Sequence, residues 1–67
     1  MEVQINQQLS TVSDNSPLLQ VLEAQGLAHS KGIAVAVNNT VVPKGDWKDH
    51  VLRPNDKIMI IRATQGG

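Results

Sequence analysis

The sequence predicts an α+β fold, with one helix lying across one face of a mixed sheet of four or five strands. Three observations carry that expectation. Apolar and polar residues alternate around Val3 and Ile5, and a second strand-like segment follows at 33–37, the period of half-buried strands. Between them, Leu18, Leu19, Val21 and Leu22 form one apolar stripe at helical spacing. A continuous apolar run at 58–61 then supplies a last strand. The order is hairpin, helix, hairpin, connection, strand.

Each element has a local reason. Val3 and Ile5 stand among Glu2, Gln4 and Asn6 and make the first strand. Asn6-Gln7-Gln8 is a turn, because asparagine tolerates left-handed backbone, and a short second strand covers residues 9–12. Ser13-Asp14-Asn15-Ser16 is a polar break ending in an N-capping residue, and Pro17 follows at a first helical position that needs no N–H. The stripe gives a helix of about nine residues, which Gly26 stops. After the link Ala28-His29-Ser30-Lys31-Gly32, the segment 33–37 puts Ile33, Val35 and Val37 on one face and Ala34 and Ala36 on the other. Asn38-Asn39 is a tight hairpin turn of the kind that needs positive φ. Thr40-Val41-Val42 returns, and Pro43 ends the pairing. Residues 44–52 form a connection with a helical turn, anchored by Trp47, Val51 and Leu52. Arg53-Pro54-Asn55-Asp56 suits a type I turn with proline second. Residues 57–62 are the last strand. The expected organisation is one domain over 1–62 and a flexible C-terminal tail over 63–67.

Composition narrows the function. In a chain of 67 residues, hydrophobic burial and the entropy of ordering nearly cancel, which leaves little surplus for a strained, desolvated catalytic pocket. A carrier, modifier or binding module is expected, not a self-contained enzyme. Six basic and six acidic residues cancel and are scattered along the chain, so no basic stripe points to nucleic acid. The absence of cysteine removes disulfides, thiolate zinc sites and a sulfur nucleophile. Met1-Glu2-Val3-Gln4-Ile5 lacks the basic flank and apolar core of a signal peptide, and no apolar run approaches a bilayer span. The expected location is the cytoplasm, with no membrane partner.

Two places invite chemistry. The first is Gly66-Gly67: a glycine pair can lie extended in a slot too narrow for a Cβ atom. Its terminal carboxylate, titrating near ~3.5, is an anion and a poor electrophile that must be activated before anything is attached. The second is the last strand, apolar on both faces. Ile58 and Ile60 point one way, while Met59 and Ile61 share parity with Lys57. A single helix covers one side of the sheet, so Met59 and Ile61 are expected on the open side near Ala34 and Ala36, as a docking surface. His29 and His50 have no partner at metal or triad spacing, so no metal site is expected. Trp47, the one large aromatic, is expected as a core lid over the second hairpin.

The order of elements is the β-grasp layout, and the segment Val37-Asn38-Asn39-Thr40-Val41-Val42-Pro43-Lys44, followed by Trp47, Leu52, a turn and an apolar strand running to Gly66-Gly67, resembles the ThiS family of sulfur carriers over nearly the whole length. The turn reads Asn55-Asp56 where relatives often have Gly-Asp, and the aromatic residue that relatives often carry shortly before the glycines is absent. The resemblance implies that the Gly67 carboxylate is adenylated by a ThiF-type enzyme using ATP and magnesium, with no cofactor bound by the carrier itself. It implies further that a persulfide donor converts the adenylate to a thiocarboxylate, and that thiazole synthase, ThiG, takes the sulfur for thiamine biosynthesis. Gly66 would let the tail thread a narrow slot. Five extended residues reach about 17 Å, enough to enter a buried site. The tail chemistry alone leaves open the small subunit of molybdopterin synthase and a ubiquitin-like modifier. A β-grasp binding module with a passive tail is the alternative of a different class.

Overall fold

The computed structural model describes residues 1–29 and 31–62. The chain forms β1 (Glu2–Ile5), β2 (Gln8–Thr11), α1 (Leu18–Ala24), β3 (Ile33–Val37), β4 (Thr40–Val41), a 3-10 turn (Lys44–Asp46) and β5 (Lys57–Arg62). The five strands make one sheet in the order β2-β1-β5-β3-β4. β5 pairs parallel with β1 and antiparallel with β3, so the sheet is mixed. The expected α+β architecture is therefore present, with five strands.

Both hairpins turn on two consecutive left-handed residues, Asn6 and Gln7 (φ 49° and 71°) and Asn38 and Asn39 (φ 51° and 70°). Such turns match the right-handed twist of paired strands. Because the first turn uses only two residues, β2 begins at Gln8, one residue earlier than expected.

The helix start differs from the expectation. Ser16 does not cap it: its hydroxyl donates to the Ser13 carbonyl at 2.6 Å. Pro17 is the extended residue before the helix (φ −70°, ψ 152°), and α1 has seven residues. The first amides find acceptors from the connection instead. Leu18 N–H donates to the His50 carbonyl at 2.8 Å and Leu19 N–H to the Trp47 carbonyl at 3.0 Å. These satisfy donors that every helix start leaves open. The helix ends as expected, with Gly26 left-handed (φ 74°). Leu27 N–H reaches the Leu22 carbonyl at 2.8 Å and Gly26 N–H the Glu23 carbonyl at 3.0 Å, the paired bonds of a Schellman motif.

The core lies between α1 and one sheet face, where Val3, Ile5, Leu18, Val21, Leu22, Val35, Val37, Trp47, Leu52 and Ile58 are buried together. Trp47 donates its indole N–H to the Val42 carbonyl at 2.8 Å, the expected lid over the second hairpin. Val51 is not an anchor, because it is 52% exposed. It forms a backbone bridge with Pro17, while its neighbour Leu52 turns into the core.

The 53–56 turn is type II, not type I. Asn55 at its third position has φ 69°, and Asp56 N–H reaches the Arg53 carbonyl at 3.2 Å. The turn is tied to the second hairpin. The Asn38 amide donates to Asp56 Oδ1 at 2.9 Å, and Lys57 N–H donates to Asn38 Oδ1 at 3.0 Å. Replacing Asn38 with alanine removes both bonds and places a Cβ-bearing residue without a local side-chain acceptor at positive φ. We expect Asn38→Ala to destabilise the domain by about 2 kcal/mol, read as a lower urea midpoint at unchanged slope. Asn38→Gly should recover roughly half, because it relieves the backbone and not the bonds.

Candidate functional site

β5 is the central strand, held by β1 on one side and β3 on the other. Its alternation has the two-sided pattern the sequence predicts. Ile58 is 2% exposed and Ile60 half-buried against the core, whereas Met59 and Ile61 are 42% and 55% exposed on the other face. Ala36 lies opposite Met59 and Ala34 opposite Ile61. On the β3 side only methyl groups lie beside them, so the larger side chains stand clear of that strand.

Registers extend this face beyond the two residues first singled out. Val41 pairs with Ala36 and Leu9 with Gln4, and cross-strand partners share a face. Both are exposed, Val41 at 66% and Leu9 at 68%. The signal was available in the sequence, since a two-residue turn fixes 37 against 40 and 36 against 41. Gln4 and Lys57, with the turn residues Gln7 and Asn39, border a hollow of about 210 Å³, which Ile58 and Met59 also line.

Asn6 does more than turn the chain. Its backbone N–H donates to the Ile58 carbonyl at 2.9 Å, and its side-chain oxygen accepts from Ile60 N–H at 2.8 Å. The side chain thus continues the parallel ladder past the end of β1. β5 is fixed on its β1 side as far as Ile60 and on its β3 side as far as Arg62. Gly66, Gly67 and the tail expected over 63–67 lie outside the described residues.

His29 is exposed and His50 half-buried, and among the described residues no group of three or more histidines and carboxylates could hold a metal ion. No helix of the described residues is long and apolar enough to cross a membrane. What the site offers is a fixed strand and an apolar face beside it.

Comparison with known proteins gives one family and a small group of relatives. The model of the ThiS family matches residues 3–67. The sulfur carrier protein ThiS of Escherichia coli strain K12 is 27% identical over 67 residues, covering all of both chains. The crystal structure of a thiamine biosynthesis protein (ThiS) from Geobacter metallireducens superposes with a TM-score of 0.85 at 20% identity, again over the whole of both chains. A solution NMR structure of a thiamine biosynthesis protein from the same organism gives a TM-score of 0.75 at 20% identity, over all of this chain and 88% of that one. At that identity the two structures speak for the fold, which is the β-grasp.

Proposed function

The chain belongs to the ThiS family, and we propose that it is a sulfur carrier of thiamine biosynthesis whose working atoms are at Gly67. The observation that carries this reading is the family match itself, which runs through residue 67 and includes the glycine pair.

In this reading the Gly67 carboxylate attacks the α-phosphate of ATP on a ThiF-type partner, which expels pyrophosphate and leaves Gly67 as an acyl-adenylate. The outer sulfur of a persulfide donor attacks the acyl carbon and displaces AMP, giving an acyl disulfide. A second thiol then cleaves its S–S bond, forming a disulfide with the donor's remaining sulfur and leaving the thiocarboxylate on Gly67. A thiazole synthase of the ThiG type then takes that sulfur. Activation is needed because a carboxylate resists nucleophiles, and the partner supplies the ATP and magnesium. The chain is a co-substrate of these reactions. Gly66 lets the tip pass a constriction, and Met59 and Ile61 present the apolar face that partners grip.

The test is intact-protein mass spectrometry after incubation with ATP, magnesium, the adenylating enzyme and a sulfur donor. The expected product carries one sulfur in place of one oxygen at Gly67. An unchanged mass, with the same mixture active on the Escherichia coli relative, would overturn the proposal.

The docking face makes a separate prediction. The double substitution Met59→Glu and Ile61→Glu replaces exposed side chains, so stability should change by no more than about 1 kcal/mol. It should raise the KM for the adenylating partner at least about tenfold, because charged groups would have to be desolvated at the contact. Steady-state kinetics with the carrier as varied substrate reads this directly.

A further inference from the structure

A second surface lies at the other edge of the sheet, between β2 and α1. A groove of about 400 Å³ there is lined by the aliphatic Val12, Val21 and Ala24 and by the polar Thr11, Ser16 and Gln20, among others. β2 is the terminal strand beside it. Val12 and Met1 exchange both backbone bonds, at 2.8 and 2.7 Å. By the alternation of an antiparallel ladder, Ser10 and Gln8 also face β1, and Leu9 and Thr11 turn their N–H and C=O groups outward. Such an edge is a template for another strand.

The lining of the groove is uncharged, and the charges around it give it a preference. The scattered distribution expected from the sequence is in fact segregated. Residues 1–29 contain Glu2, Asp14 and Glu23 and no lysine or arginine, whereas all six basic side chains lie at position 31 or later. Glu2 pairs with Thr11 across the ladder, and Glu23 is one turn along α1 from Gln20. Asp14 sits in the loop that joins β2 to α1, where the Met1 amino group, 3.0 Å from its carboxylate, balances its charge and leaves Glu2 and Glu23 to set the preference.

We propose that this groove binds an extended segment of a partner protein, added to β2 as a sixth strand, with aliphatic side chains at alternate positions and lysine or arginine beside them. An added strand would place every second side chain in the aliphatic groove and the others beside exposed Leu9, while its backbone meets the outward groups of Leu9 and Thr11. The acidic surroundings favour a basic segment and oppose an acidic one. They also oppose pairing with β2 of a second copy, whose own strand carries no cation. The inference rests on the fold and the charge distribution, independently of the sulfur-carrier reading.

The test titrates 15N-labelled protein with the peptide Lys-Lys-Val-Ile-Val-Lys-Lys and, separately, with Glu-Glu-Val-Ile-Val-Glu-Glu. The lysine peptide is expected to shift the amides of Leu9, Thr11, Val12, Val21 and Ala24 and to bind at least about tenfold tighter, by an amount that shrinks with added salt. Equal affinities, no shifts, shifts confined to Met59 and Ile61, or self-association through β2 without peptide would each overturn the proposal. Thr11→Pro removes an outward N–H without breaking the ladder, and should weaken the lysine peptide at least about tenfold. Gln20→Lys leaves the strand intact and should weaken the lysine peptide while improving the glutamate one. Thiocarboxylate formation should be unchanged in both variants, so loss of peptide binding and loss of sulfur transfer are separately visible.

Discussion

Removing Gly66 and Gly67 is expected to abolish thiocarboxylate formation while leaving the fold and its unfolding midpoint unchanged. Among the described residues, the core and the hydrophobic residues packed on it extend no further along the chain than Ile60. The two glycines carry no side chain for that core to bury. The truncated chain would still present a carboxylate, now on Gln65, so the experiment asks whether a carboxylate alone is enough. It should not be. A side chain at the tip puts a Cβ where the proposed slot admits only backbone, and the reactive carbon falls short by two residues, about 7 Å of extended chain. A gentler variant separates reach from width. Gly66→Val keeps the length and the terminal carboxylate but thickens the tail, and should lower kcat/KM for adenylation by about 100-fold, close to 2.7 kcal/mol of lost positioning. Both variants should give wild-type circular dichroism. A binding module with a passive tail would instead keep its full partner affinity and activity after truncation, and that outcome would sink the carrier reading.

The parts of this molecule that could be read from the sequence are those set by local chemistry. Alternation at Val3 and Ile5, the stripe around Leu18 and Leu22, and the asparagines of the second hairpin each specify an element with little help from elsewhere. What could not be read depends on contacts made across the chain. Ser16 has the right chemistry for an N-cap, yet His50 and Trp47 bring backbone carbonyls to the helix start and make that cap unnecessary. Val51 and Leu52 look equivalent in a line of letters, and only the bridge to Pro17 decides which of them points inward. Asn55 could occupy either turn type, and the Asp56 carboxylate, accepting from Arg53 N–H at 2.8 Å and from Asn38, accompanies the left-handed one. For the candidate site, strand parity was enough to place Met59 and Ile61 on the open face. Leu9 and Val41 follow from the sequence only once the two-residue turns are taken to set the registers, and the acidic edge required noticing which half of the fold the cations occupy.

Replacing Trp47 with alanine is expected to leave the chain predominantly unfolded at 25 °C. Trp47 is 2% exposed, and truncating a buried tryptophan costs about 3–5 kcal/mol through lost transfer energy and the cavity left behind. A single core in a domain this small supplies a surplus of only about 3–5 kcal/mol, so the change consumes it. The indole also donates to the Val42 carbonyl, and its loss leaves that acceptor without this partner. Trp47→Phe separates the two contributions, since it retains most of the apolar area and loses the donor. It should stay folded at a cost of about 1–3 kcal/mol. Heteronuclear spectra report the outcome without relying on tryptophan fluorescence: collapsed amide dispersion for the alanine variant, and native dispersion with a lowered midpoint for the phenylalanine one. The alanine variant also bears on function. It keeps Gly66 and Gly67 intact, so any loss of sulfur loading must come from the missing domain. We expect loading to fall with the folded fraction across the two variants. A partner that recognised the tail alone would load the unfolded variant as well as the native one. Trp47→Ala therefore tests whether the folded domain is needed for recognition, where truncation at Gln65 tests whether the tip is needed for chemistry.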